Sequence, residues 1–197
     1  ALTGGDCDPA IRDIILRIRL LKAVTALLAG AALAASGLQM QTLFRNPLAG
    51  PYVLGVSSGA SLGVALFTLG MPLLGISASS VWWGGIGAVG AAWVGAATIL
   101  LIIMAVTTRI KDIMAILIMG MMFGSAATAI VEILQYMSPE GAVKSYVVWT
   151  MGSLGGVLLS ELRILVPVLA AGLALSVSLI KPLNMLLLGE NYARTMG

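Results

Sequence analysis

The side chains that usually carry enzyme chemistry are almost missing from this chain. Its 197 residues include one cysteine, Cys7, and no histidine. That excludes a disulfide framework, imidazole or multi-thiolate metal sites, haem ligation by histidine and every histidine-dependent triad. The one acid in a clearly apolar setting is Glu132, with the amides of Gln39 and Gln41 as further polar groups. An ionisable group within an apolar run is a functional candidate by default. Glu132 sits about one turn from the end of its run, however, so a solvated or loop-paired carboxylate is the expectation. The two glutamines suit either a polar path or bonds between helices. An intramembrane enzyme would need a nucleophile with a base, or paired carboxylates, and neither is evident. No metal site and no cofactor are expected.

The elements that hold these residues are dictated by charge spacing. The chain is 59% hydrophobic and only 10% charged, against roughly a quarter charged in an ordinary soluble domain. No charged residue lies between Lys22 and Arg45, between Arg45 and Arg109, between Asp112 and Glu132, or between Arg163 and Lys181. About 20 apolar residues cross a hydrocarbon core as helix. The first, third and fourth gaps each fit one crossing. The second fits two, with "GMPLLGISASS" (Gly70 to Ser80) as the turn. The expected fold is an all-α, polytopic transmembrane helical bundle, a single domain with spans near 22–42, 53–71, 81–107, 112–136 and 160–180. Aromatic residues such as Tyr52, Trp82, Trp83, Tyr136 and Trp149 fall near span ends, at headgroup depth. Basic residues divide almost evenly between the two sides, so charge alone does not orient the chain. They form no stripe, and no nucleic-acid partner is expected.

Local signals refine this picture. Asp8 before Pro9 reads as a helix start, a side-chain cap followed by proline at the first helical position. From Ile11 the pattern is amphipathic, suiting an interfacial helix that leads into the first span. Gly55, Gly59 and Gly63 form a double G-x-x-x-G stripe, Gly120 with Gly124 another, and Gly84, Gly87 and Gly90 recur every third residue. Small residues let helix backbones approach closely in lipid, so these stripes are expected to serve helix packing. Residues 138–160 are more polar and glycine-broken, and read as an extramembrane connection with a short helix against the surface. The stretch "RNPLAGPYVLGVSSGAS" (Arg45 to Ser61) interrupts the apolar pattern with two prolines. Proline lacks a donor and turns the residue before it away from helix, which predicts a rigid, irregular turn between two spans.

Together, "GAALAASGLQMQTLFRNPLAGPYVLGVSSGASLG", "WTMGSLGG" (Trp149 to Gly156) and "LNMLLLGENYARTMG" (Leu183 to Gly197) strongly resemble the FecCD-type permease family. These are membrane subunits of ABC importers for iron–siderophore complexes, haem and vitamin B12. The resemblance runs through nearly the whole chain in order. It implies about ten spans in a complete member, of which this chain looks like the second to the sixth. The chain opens at Ala1 rather than Met and stops at Gly197 within what reads as an amphipathic helix, so a longer protein is expected. The family topology would place the N-terminal side in the periplasm and Gly197 in the cytoplasm.

The same resemblance implies roles for particular residues. Arg19 and Lys22, as "RLLK", stand where the family carries a basic "R-L-P-R" that docks a periplasmic substrate-binding protein; Lys22 departs from arginine and Leu21 from proline. Asn46 and Leu48 match the "NPLA" turn that helps form the cytoplasmic gate. Glu190, Ala193 and Gly197 match the segment that couples to the ATPase subunit. The implied assembly is a permease homodimer in lipid at the cell inner membrane, with ATP bound on the separate ATPase. The chain has no Walker A pattern of its own. A scaffold or receptor-like bundle is the alternative, and an intramembrane enzyme a weaker one.

Overall fold

A computed structural model describes residues 8–76, 81–110, 112–155, 157–188 and 195, with side chains from residue 87 onward in the third helix. Among them there are helices and no strand. The helices are α1 (Pro9–Phe44), α2 (Val56–Leu73), α3 (Val81–Thr107), α4 (Ile113–Met137), α5 (Glu140–Thr150), α6 (Leu159–Ser178) and α7 (Ile180–Leu187). Five of them, α1 to α4 and α6, are long and apolar enough to cross a membrane.

Helix α1 begins where the sequence predicts. Asp8 accepts a hydrogen bond from the Ala10 amide at 3.0 Å, and Pro9 opens the helix. The amphipathic segment and the first span are one continuous helix of 36 residues, with a π-helical stretch at Ile14–Arg19. At 1.5 Å per residue such a helix outruns a hydrocarbon core of about 30 Å. Its first turns, bearing Arg12, Asp13, Arg17 and Arg19, therefore extend into the interface or water. Asp13 and Arg17 pair there at 3.4 Å. Helix α4 is capped likewise, with Asp112 accepting from the Met114 amide. At the start of α6 the Glu161 carboxylate accepts from the Leu158 amide.

The chain forms two compact units. The described residues before Pro51 and from Ser153 onward make one, in which α6 and α7 pack on α1. Residues Pro51–Gly152 make the other, in which α2 packs on both α3 and α4. The core of this second unit joins Val64, Ala65 and Leu69 of α2 to Ala88 and Ala92 of α3, Val131 of α4 and Tyr146 of α5.

Glycines determine how closely these helices meet, and they divide the work. A Cβ on Gly59 would come within 2.7 Å of the Gly95 carbonyl oxygen on α3, and one on Gly63 would strike the Ala91 carbonyl. A Cβ on Gly55 would come within 2.8 Å of the Gly120 carbonyl oxygen on α4. Gly55 is not a helical member of the stripe. With φ of 72° it precedes α2 in the left-handed region, after a 3₁₀ turn at Pro51–Leu54. The helix consequently starts at Val56 rather than near residue 53. Of the third glycine series, Gly87 meets the Phe67 ring and Gly90 meets nothing.

The short helix expected between residues 138 and 160 is α5. It does more than lie on the surface. Tyr146 is only 4% exposed, and its hydroxyl shares a short hydrogen bond with Ser61 on α2.

Candidate functional site

In the first unit, α1 ends by turning left-handed at Arg45, with φ of 47° and ψ of 38°. Arg45 is the one non-glycine with positive φ among the described residues. The amides of Arg45 and Asn46 return to the Thr42 and Gln41 carbonyls, satisfying the last turn of the helix. Asn46 then closes the next turn. Its side-chain oxygen accepts from the Leu48 amide at 2.9 Å, and its carbonyl accepts from the Ala49 amide at 3.0 Å. Pro47 sits inside that loop and limits its backbone freedom. The result is a stiff tip: Leu48 is 82% exposed at its apex, while Phe44 and Ala49 on either side are buried.

One contact at this turn was not legible in the sequence. The Arg45 guanidinium donates to the Leu186 carbonyl oxygen at 2.8 Å. Leu186 lies in the last turn of α7, where helix carbonyls look outside the helix for donors and a cation meets the negative end of the dipole. Arg45 thus ties the proline turn to the segment that leads toward Glu190. The expected coupling residues Glu190, Ala193 and Gly197 lie outside the described residues.

Arg19 and Lys22 are both exposed on α1. The Lys22 ammonium also lies near the Ser153–Gly155 loop, since a Cβ built on Gly155 would stand 3.6 Å from its Nζ. Farther along α1, Gln39 lines a crevice of about 230 Å³ with Leu38, Thr42, Ser176 and Asn184.

The second unit holds a groove lined by both polar and apolar side chains. A cavity of about 610 Å³ is lined by Tyr52, Ser58, Ser125, Thr128 and Glu132 among others. A second, of about 290 Å³, continues past Ser61, Gln135, Tyr146 and Thr150. The two share Ser58, Thr128 and Glu132. On α4 the polar members Ser125, Thr128, Glu132 and Gln135 recur at steps of three and four residues, so they occupy one helix face. That spacing was available in the sequence. What it could not reveal was that α2 and α5 place Ser58, Ser61 and Tyr146 opposite the same face. Glu132 is exposed and has no ion pair or hydrogen bond among the described residues.

The model of the FecCD transport family matches residues 1–197. The molybdate import system permease protein MolB of Haemophilus influenzae is 33% identical over 199 residues, covering 99% of this chain and 56% of that protein. The vitamin B12 import system permease protein BtuC of Salmonella paratyphi A is 37% identical over 184 residues, covering 92% of this chain and 53% of that protein. The chain therefore spans about half the length of these curated relatives. A solved structure, described as an inward-facing conformation of a metal-chelate type ABC transporter, superimposes on all of this chain and 60% of its own. The TM-score is 0.84 and the identity 29%.

Proposed function

The chain belongs to the FecCD transport family, and from that premise we propose that it is part of the membrane-spanning permease subunit of a binding-protein-dependent ABC importer. It sits in the inner membrane and passes a metal chelate, such as an iron–siderophore complex, haem or cobalamin. A separate ATPase subunit supplies the energy, and two copies of the complete permease pair around the path. The subunit is a conduit rather than an enzyme.

The observation that carries this reading is the stiff Asn46–Leu48 turn, occurring in a chain whose whole length is family-like. Non-helical backbone at membrane depth persists only where it is buried in protein or lines an aqueous cavity. A turn closed by its own side chain, with a bulky apolar residue at its tip, suits the narrowing of an aqueous path at the cytoplasmic mouth. Arg45 supports the same reading, because it links that turn to the segment running toward the ATPase-coupling residues Glu190, Ala193 and Gly197. In the N-terminal half of α1, the exposure of Arg19 and Lys22 suits pairing with acidic groups on the binding protein.

The cargo is the finer question, since the two relatives named above import molybdate and vitamin B12. The complete protein, reconstituted in proteoliposomes with its ATPase and binding protein, should take up cargo only when ATP and binding protein are both supplied. Uptake without either would overturn the reading, as would turnover of a substrate without nucleotide. Glu190→Lys combined with Gly197→Trp should abolish co-purification of the ATPase, and retention of the ATPase would remove the coupling assignment.

A further inference from the structure

The polar side chains of the groove on the second unit present negative charge and acceptor oxygens in two separate ways. The first is Glu132, whose carboxylate lines both cavities and has no cationic partner among the described residues. The second is the orientation of three of the neighbouring hydroxyls. Ser125 donates its proton to the Met121 carbonyl at 3.0 Å, and Thr128 donates to the Gly124 carbonyl at 3.0 Å. Thr150 donates to the Val147 carbonyl at 2.7 Å. With their protons committed to their own helices, these side chains offer the groove oxygen lone pairs. Gln135 contributes an amide with both characters, and among the described residues no lysine or arginine lines either cavity.

We propose that this groove selects by charge, accepting cationic or donor-bearing chelates and disfavouring oxyanions. The proposal rests on the permease reading and narrows its cargo class. Of the chemistries seen among the relatives, it places this chain with the chelates and away from molybdate. The reason is elementary. An oxyanion brings negative charge and acceptors to a surface that already presents both. A chelate bearing an ammonium, amide N–H groups or hydroxyls finds complementary acceptors there.

The effect can be sized. A unit charge about 6 Å from Glu132, even at the dielectric of water, changes its local concentration about threefold, so opposite signs differ by about tenfold. Low ionic strength preserves that difference. The test uses the complete permease assembled with its ATPase in nanodiscs, with native cysteines replaced and Thr128→Cys introduced one turn from Glu132. Rates of modification by a cationic and an anionic methanethiosulfonate reagent give a cation-over-anion ratio. Glu132→Gln should lower this ratio about tenfold, and Glu132→Lys should lower it further. Ser125→Cys provides a second reporter position should Thr128→Cys fail to assemble. In the same preparation a cationic iron hydroxamate, ferrioxamine B, should protect the cysteine from modification, and molybdate should not.

A ratio unchanged by Glu132→Gln would overturn the proposal, as would a cysteine inert to both reagents, or protection by molybdate equal to that by the hydroxamate. The permease reading fails by a different signal, the absence of binding-protein-stimulated ATP hydrolysis in the parent assembly. The two failures are therefore distinguishable.

Discussion

The Arg45 guanidinium and the Leu186 carbonyl oxygen, 141 residues apart in sequence, are joined by a 2.8 Å hydrogen bond. Arg45 holds this bond from a left-handed backbone that a non-glycine residue adopts at a cost of about 1–2 kcal/mol. Two opposing terms therefore meet at one position. Arg45→Gly should relieve the backbone and lose the bond, leaving stability almost unchanged. Arg45→Ala should lose the bond and keep the strain. Thermal melts of the complete protein in detergent should rank alanine below glycine by about 1 kcal/mol. The opposite ranking would mean that the left-handed turn is not retained.

Asn46 offers a sharper discrimination. Asn46→Ala removes the acceptor that closes the turn on Leu48, whereas Asn46→Asp keeps an acceptor oxygen in place. If the turn narrows a path, the alanine variant in proteoliposomes should leak a small solute without ATP, and the aspartate variant should stay tight. Equal leakage in both would sever the link between turn closure and gating.

The helix crossings predict an uneven glycine series. Gly63→Ala drives a methyl against the Ala91 carbonyl, where backbone must move, and should cost about 1–3 kcal/mol. Gly90→Ala meets nothing within 4 Å and should be neutral or slightly stabilising in its helix. Denaturation of the purified variants measures both.

Tyr146 anchors α5 through its buried ring and its bond to Ser61. Tyr146→Phe should cost about 1 kcal/mol by removing the bond. Tyr146→Ala should cost about 3–5 kcal/mol by emptying the site as well. Similar losses for the two variants would show that the hydroxyl pair carries the anchoring.

At the start of α1, reversing both Arg19 and Lys22 to glutamate should weaken capture of the binding protein at least tenfold at low salt. The defect should shrink as ionic strength rises, because the contribution is electrostatic. Surface plasmon resonance across a salt series reads this directly. A salt-independent defect would point to damaged packing instead.

The sequence by itself determined the crossings and their connections. Charge in hydrocarbon is costly, so long charge-free runs mark where helices lie. Asp8 with Pro9 marked the start of α1, and Pro47 with Pro51 marked the turn after it. Residue types at fixed spacing also sufficed for the family. Tertiary structure alone decided which helix each glycine meets: Gly55 faces α4, while Gly59 and Gly63 face α3. It alone supplied Arg45 with Leu186, and it alone gathered Ser58, Ser61 and Tyr146 around the face bearing Glu132. The physical reason is shared. A helix that is apolar on every side carries little periodic signal of its rotation, and in lipid it is close packing and polar contact with distant segments that fix that rotation.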